Sequence, residues 1–234
     1  MKHFRIFILL LTAAIAGSCN KANDQATGIG DAVIVAKKIG SNTEYGIAFY
    51  AYTFSSFKTV TIVSALHPEK TYTLKANQGY TTNFYYQIPD SDFTTTVPEA
   101  DTFTFSATFD NGVSNSFQDI LTNKALPLPV FEKCEYDPPT SSISVIWTSL
   151  TDADSYAINI WDGPTLVFSS TELIKTNNYY TIAGSGNGWA NGFTPKNGKT
   201  YIVRLLAFLY EPGGDSYNMQ ATSMSESNVV WGTN

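Results

Sequence analysis

Apolar and polar positions alternate with period two along most of this chain. Phe103, Phe105, Ala107 and Phe109 are separated by Thr104, Ser106 and Thr108, and Asp110-Asn111-Gly112 then turns the chain back on itself. The same alternation carries Ile143, Val145 and Trp147, then Tyr156, Ile158 and Ile160, and later Tyr201, Val203, Leu205 and Ala207. It predicts strands on which these apolar side chains face a core. In the first half the predicted strands are 32–38, 45–54, 58–65, 71–76, 81–88, 102–109 and 114–121. They are parted by turn chemistry such as Gly40-Ser41-Asn42 and His67-Pro68-Glu69. The nearest approach to a helical pattern, 171–176, is one turn at most. The pattern is that of an all-β protein.

The N-terminus breaks the alternation. Lys2 and Arg5 precede an unbroken apolar run from Ile6 to Leu11, and small residues then lead to Ala16-Gly17-Ser18-Cys19. The run is shorter than the roughly 20 apolar residues a membrane span requires, so it reads as an export signal. The cysteine at the cut resembles the lipobox of bacterial lipoproteins, with Ala16 where that motif usually has Leu. The resemblance implies cleavage after residue 18, lipidation of Cys19, and attachment to the membrane through that lipid. Residues 19–30 then read as a flexible tether. Asn20-Lys21-Ala22-Asn23-Asp24 offers one acid and one base after the cysteine, which leaves the cell surface and the periplasmic side of the outer membrane both open.

Ala125-Leu126-Pro127-Leu128-Pro129-Val130 marks a joint, stiffened by two prolines. Seven short strands over 31–124 suggest an immunoglobulin-like sandwich. The segment 131–234 resembles a fibronectin type III domain: Trp147, Tyr156 and Tyr201 stand where that family packs a Trp of strand B against tyrosines of strands C and F. Phe193-Thr194-Pro195 is similar to the Leu-x-Pro that precedes the strand F tyrosine. The whole precursor resembles the exported lipoproteins of Bacteroidetes, which implies a binding or adhesion role on the outer membrane, with a glycan or an outer-membrane protein as partner.

Two loops are long for that family, 184–192 and 211–223, with a final strand over 225–232. In fibronectin topology the first lies at the pole far from the joint and the second faces the first sandwich. Trp189, flanked by glycines, is either a ligand-stacking platform or a plug over the sandwich end. Strand alternation turns Arg204, Leu206, Phe208 and Tyr210 outward, beside Asn159 and Trp161 on the neighbouring strand. That face is either covered by another part of the chain or presented to a sugar ring or partner protein.

Composition narrows the chemistry. The net charge of −6 becomes −8 once residues 1–18 leave with Lys2 and Arg5, so there is no basic footprint for nucleic acid. With Cys19 lipidated, Cys134 has no partner for a disulfide. His67 is the only histidine beyond the signal, which excludes a His-dependent triad and a multi-His metal site. Asp90/Asp92 and Asp152/Asp154 are spaced for turns, lacking a third acidic ligand or the glycine pattern of a calcium loop. The expected protein is non-enzymatic, with no cofactor and no metal.

Overall fold

The computed structural model describes residues 26–214 and 218–232. The export signal and Cys19 lie outside the described residues. Within them the regular structure is strand apart from one 3-10 turn at Asp90–Asp92.

The first sandwich contains β1 (Gly28–Ile39), β2 (Asn42–Thr53), β3 (Phe57–Ser64), β4 (Thr71–Thr73), β5 (Lys75–Asn77), β6 (Tyr80–Gln87), β7 (Asp101–Phe109) and β8 (Ser114–Leu121). The order β1-β2-β6-β5 in one layer and β4-β3-β7-β8 in the other is an immunoglobulin arrangement, A-B-E-D against C′-C-F-G. The strand predicted over 71–76 is in fact two. β4 pairs with β3 and β5 with β6, and the buried Leu74 marks the crossing between layers. The alternating phenylalanines meet inside, with Phe49 edge-on to Phe103 at 4.9 Å between centroids. Each fully buried Phe contributes roughly 1.5–3 kcal/mol, so aromatic packing supplies what a disulfide would elsewhere.

The second sandwich sets β9 (Val130–Asp137), β10 (Ser142–Thr148) and β14 (Tyr179–Ala183) against β11 (Ser155–Asp162), β12 (Thr165–Ser169), β13 (Leu173–Ile174), β15 (Thr200–Tyr210) and β16 (Met219–Val230). Every residue assigned inward by alternation on β10, β11 and β15 is buried. The Trp147 and Tyr156 rings lie 5.4 Å apart. The Tyr201 hydroxyl accepts from the Lys196 N–H at 3.0 Å, the tyrosine corner of such sandwiches.

The two sandwiches share a sheet. β16 pairs antiparallel with β15 and, on its other edge, parallel with β1, from Ile34↔Ala221 to Lys37↔Met224. One nine-stranded sheet therefore crosses both halves, β12-β11-β15-β16-β1-β2-β6-β5 with β13 beside β11. Ala221 belongs to the first core although it comes from the last strand. Side chains finish the seam. The Met219 N–H donates to Asp31 Oδ1 at 3.0 Å, and the Ala32 N–H, just before the β16 pairing begins, donates to Asp119 Oδ2 at 2.7 Å. The Gln220 amide donates to the Thr122 and Lys124 carbonyls, and the Ser223 hydroxyl donates to the Pro127 carbonyl. The joint is held by this ladder and its side-chain bonds as well as by its prolines.

Two predicted boundaries move, one at this seam and one at the start of β1. Residues 219–223, assigned to a loop, are strand; Met219-Gln220-Ala221-Thr222-Ser223 lacks the apolar alternation that announces one. Residues 26–30, assigned to the tether, belong to the sandwich. Ala26 is buried, and a Cβ on Gly28 or Gly30 would stand 2.7 Å from the Phe117 ring or 2.6 Å from the Phe105 ring. These glycines permit close approach to core aromatics, although in sequence they read as flexibility.

Candidate functional site

The outer face of the nine-stranded sheet differs between its halves. In the second sandwich the outward positions form rungs across three strands: Asn159–Arg204–Glu226, Ala157–Leu206–Met224 and Ser155–Phe208–Thr222. The Leu206, Phe208 and Met224 side chains are half-buried, flanked along the sheet but part-open above it. The predicted apolar outer face is present, and Met224 and Thr222 extend it. Thr222 belongs to the part of β16 that sequence placed in a loop, and Met224 lies between that loop and the predicted final strand.

The next strand, β1, carries the face into the first sandwich, with Val35 beside Thr222 and Lys37 beside Met224. Here the chain covers itself. The connection after β6 crosses the sheet, and Tyr45 and Thr94 exchange two backbone hydrogen bonds, at 2.7 and 3.0 Å. Phe93 closes over Gly46, where a Cβ would meet its ring at 2.5 Å, and forms a small buried cluster with Val35 and Ala48. The Lys37 ammonium lies 4.5 Å from the Phe93 ring centroid and 2.6 Å from Asp90 Oδ1, ending the covered zone where Met224 begins. Asp90 thus serves this contact. Asp154 accepts the Tyr210 N–H at 3.0 Å. Both acids have structural work, and no group of three or more His, Cys, Asp or Glu among the described residues is placed to hold a metal.

The remaining predicted residues divide. Arg204 stacks its guanidinium 4.4 Å over the Trp161 ring centroid and donates from Nε to Glu226 Oε1 at 2.6 Å. The Trp161 face is therefore occupied from within. Trp161 Nε1, Asn159 Oδ1 and Thr222 Oγ1, all on this face, are enclosed without a hydrogen-bond partner. Tyr210 is tied down at the joint end of β15, its hydroxyl bonded to Glu172 and 2.8 Å from Ser155 Oγ. Burial first, and then Glu172, push that hydroxyl up to about 12. It is a fixed residue, unlike the open-face Leu206 and Phe208.

Trp189 is a plug. Its ring stacks on Phe193 at 5.4 Å and meets Phe168 and Trp231 edge-on at 5.0 and 5.8 Å. Its indole N–H donates to the Ala183 carbonyl at 2.9 Å. Gly188 serves this packing: it has φ +95°, and a Cβ there would stand 2.6 Å from the Phe168 ring. Cys134 is half-buried on β9, and burial pushes its thiol up to about 11, which favours the protonated thiol.

No protein-family model matches this chain, and no curated protein is similar to it. Among solved structures, it is similar to dimeric latent PorU from Porphyromonas gingivalis, at 12% identity and TM-score 0.27 over 86% of this chain. The chain spans about a fifth, 19%, of that protein. It is also similar to a two-domain fibronectin type III segment of chicken tenascin, at 12% identity and TM-score 0.28, over 82% of this chain and 98% of that one. A tetra-tandem repeat from the extending region of a large adhesion protein is similar at 13% identity and TM-score 0.24, over 88% and 50% of the two chains. These superpositions are loose. The fold assignment stands on the strand order and register described above, and on those grounds the chain is an all-β protein of two immunoglobulin-like sandwiches, the second with fibronectin type III strand order.

Proposed function

We propose that this chain is a non-enzymatic binding module of the bacterial envelope, held at the outer membrane by lipid on Cys19, whose second sandwich docks a protein across its outer face. One observation carries this reading: on a single continuous sheet, the chain closes Phe93 over Gly46, Val35 and Ala48 in the first half and leaves Leu206, Phe208 and Met224 part-open on the other. Contiguous apolar side chains on central strands, rimmed by the ion pairs Arg204–Glu226 and Lys37–Asp90, have the make-up of an interface core with a polar rim. A sugar platform has less support. A pyranose ring requires a free aromatic face, and Trp161 lies under Arg204 while Trp189 is stacked on Phe193.

The test compares the mature chain, purified from its native envelope, with Leu206→Asp and Phe208→Asp, each checked for unchanged circular dichroism. The expected result is loss of a co-purifying protein in both variants. The same co-purifying proteins from wild type and variants would contradict docking at this face. A glycan bound by wild type and lost in Trp161→Ala would return the sugar reading to first place.

A further inference from the structure

The end of the first sandwich where the chain enters carries a second apolar surface. The β2–β3, β5–β6 and β7–β8 loops meet there beside the first described residues. Thr53 Oγ1 donates to the Thr27 carbonyl at 2.7 Å, the Asp110 N–H to the Ser56 carbonyl at 3.0 Å, and Thr81 Oγ1 to Ser56 Oγ at 3.1 Å. Each element leaves one large apolar side chain outside: Phe54 is 106% exposed, Tyr80 65%, Ile29 47% and Val113 40%. Single exposed apolar residues are ordinary, but one on each of four adjoining elements at one pole is a surface. A groove of about 390 Å³ opens between Ile29, Tyr52, Phe54 and Asn83. The loop tips carry one charge, Asp110, and the exposed Lys58 and Lys75 flank them.

We propose that this pole beds in the lipid headgroup region, so that the protein sits on the membrane instead of being lifted clear of it. The inference rests on the reading of Cys19 as a lipid anchor. Six residues separate Cys19 from Ala26, and the seven steps between their Cα atoms reach about 25 Å at full extension. The anchor therefore keeps this pole within a bilayer leaflet or so of the acyl region, and the aromatic pole is the part of the described protein nearest to it. Phe, Tyr and Ile side chains on otherwise uncharged loops suit insertion about 5–10 Å into the interface, and flanking lysines reach the phosphates. The shared β1–β16 seam runs away from this pole, so bedding it orients the open face of the second sandwich relative to the membrane.

The test places a tryptophan at the pole in the full chain, expressed so that it is exported and processed, then reconstituted in phosphatidylethanolamine–phosphatidylglycerol vesicles containing bromine-labelled lipid. Phe54→Trp is compared with Tyr179→Trp, an exposed position on the second sandwich, each corrected for the native tryptophans. The expected result is several-fold greater bromine quenching for the tryptophan at position 54, with its emission shifted to the blue. Equal quenching at the two positions, on protein whose N-terminal peptide mass shows an acylated Cys19, overturns the proposal alone. An unmodified Cys19 overturns both the anchor reading and the proposal.

Discussion

The two halves of the nine-stranded sheet are built alike and finished differently. In the first sandwich the connection after β6 folds across the outer face, and Gly46 clears space for Phe93 to close it. In the second, the outer face of β11, β15 and β16 has Arg204 over Trp161 at one end, and the described residues place no comparable lid over Leu206, Phe208 and Met224. Covered apolar surface is structural and part-open apolar surface is available for contact. The same residue type thus carries different meaning on the two halves of one sheet. The two ends of the molecule repeat the lesson. Trp189, Phe193, Phe168 and Trp231 pack on one another at the far pole, whereas Phe54 and Tyr80 at the near pole project outward.

The contrast between the halves predicts the largest mutational difference. Phe93→Ala removes the lid and leaves Gly46, Val35 and Ala48 exposed; it is expected to cost about 3 kcal/mol, at the lower end for buried Phe truncations. Phe208→Ala, on the part-open half, is expected to cost less, about 1–2 kcal/mol, because part of its ring already meets water. Urea unfolding of the two variants measures both. Equal losses would mean that the second half is as fully buried in solution as the first.

Most of the core was legible in the residues themselves, because a strand with one buried face must alternate. Phe103 to Phe109, Trp147, Tyr156 and Tyr201 all announced their direction. The outward set Trp161, Arg204, Leu206 and Phe208 followed from the same alternation by parity. The seam was not legible. Strand pairing between residues nearly 190 apart leaves no local signature, and Ala221 and Ser223 are small or polar where they pack against the first sandwich. Gly28 and Gly30 misled for a related reason, since a glycine under an aromatic ring and a glycine in a tether look the same in one dimension. For Trp189 the sequence named the correct pair of alternatives, and only the ring distances chose between them.

A smaller effect sharpens the account of the seam. Burial raises the Asp119 carboxyl above its ordinary range, offset in part by the Ala32 N–H. Glu211 is raised by burial and then by the charge of Asp119. An acid whose folded pKa exceeds its unfolded value binds protons more readily in the folded state. Stability is therefore expected to rise as pH falls from neutral through the folded values, levelling below the unfolded ones near 4. Asp119→Asn keeps an acceptor for the Ala32 N–H and removes this charge, so it should flatten that rise. Unfolding midpoints of the two proteins at pH 7 and pH 5 measure it, and an unchanged pH slope in the variant would contradict the assignment.

The central claim is that β1 and β16 weld the two sandwiches into one body, which fixes where the open face points. The most direct measurement is the distance distribution between spin labels on exposed strands of the two halves, at Thr59 and Tyr179, in a Cys134→Ser background with the Cys19-anchored or anchor-free mature chain. A shared sheet predicts one narrow distance, unchanged by moderate salt and temperature. A broad distribution, as two sandwiches swinging on a proline linker would produce, contradicts the claim.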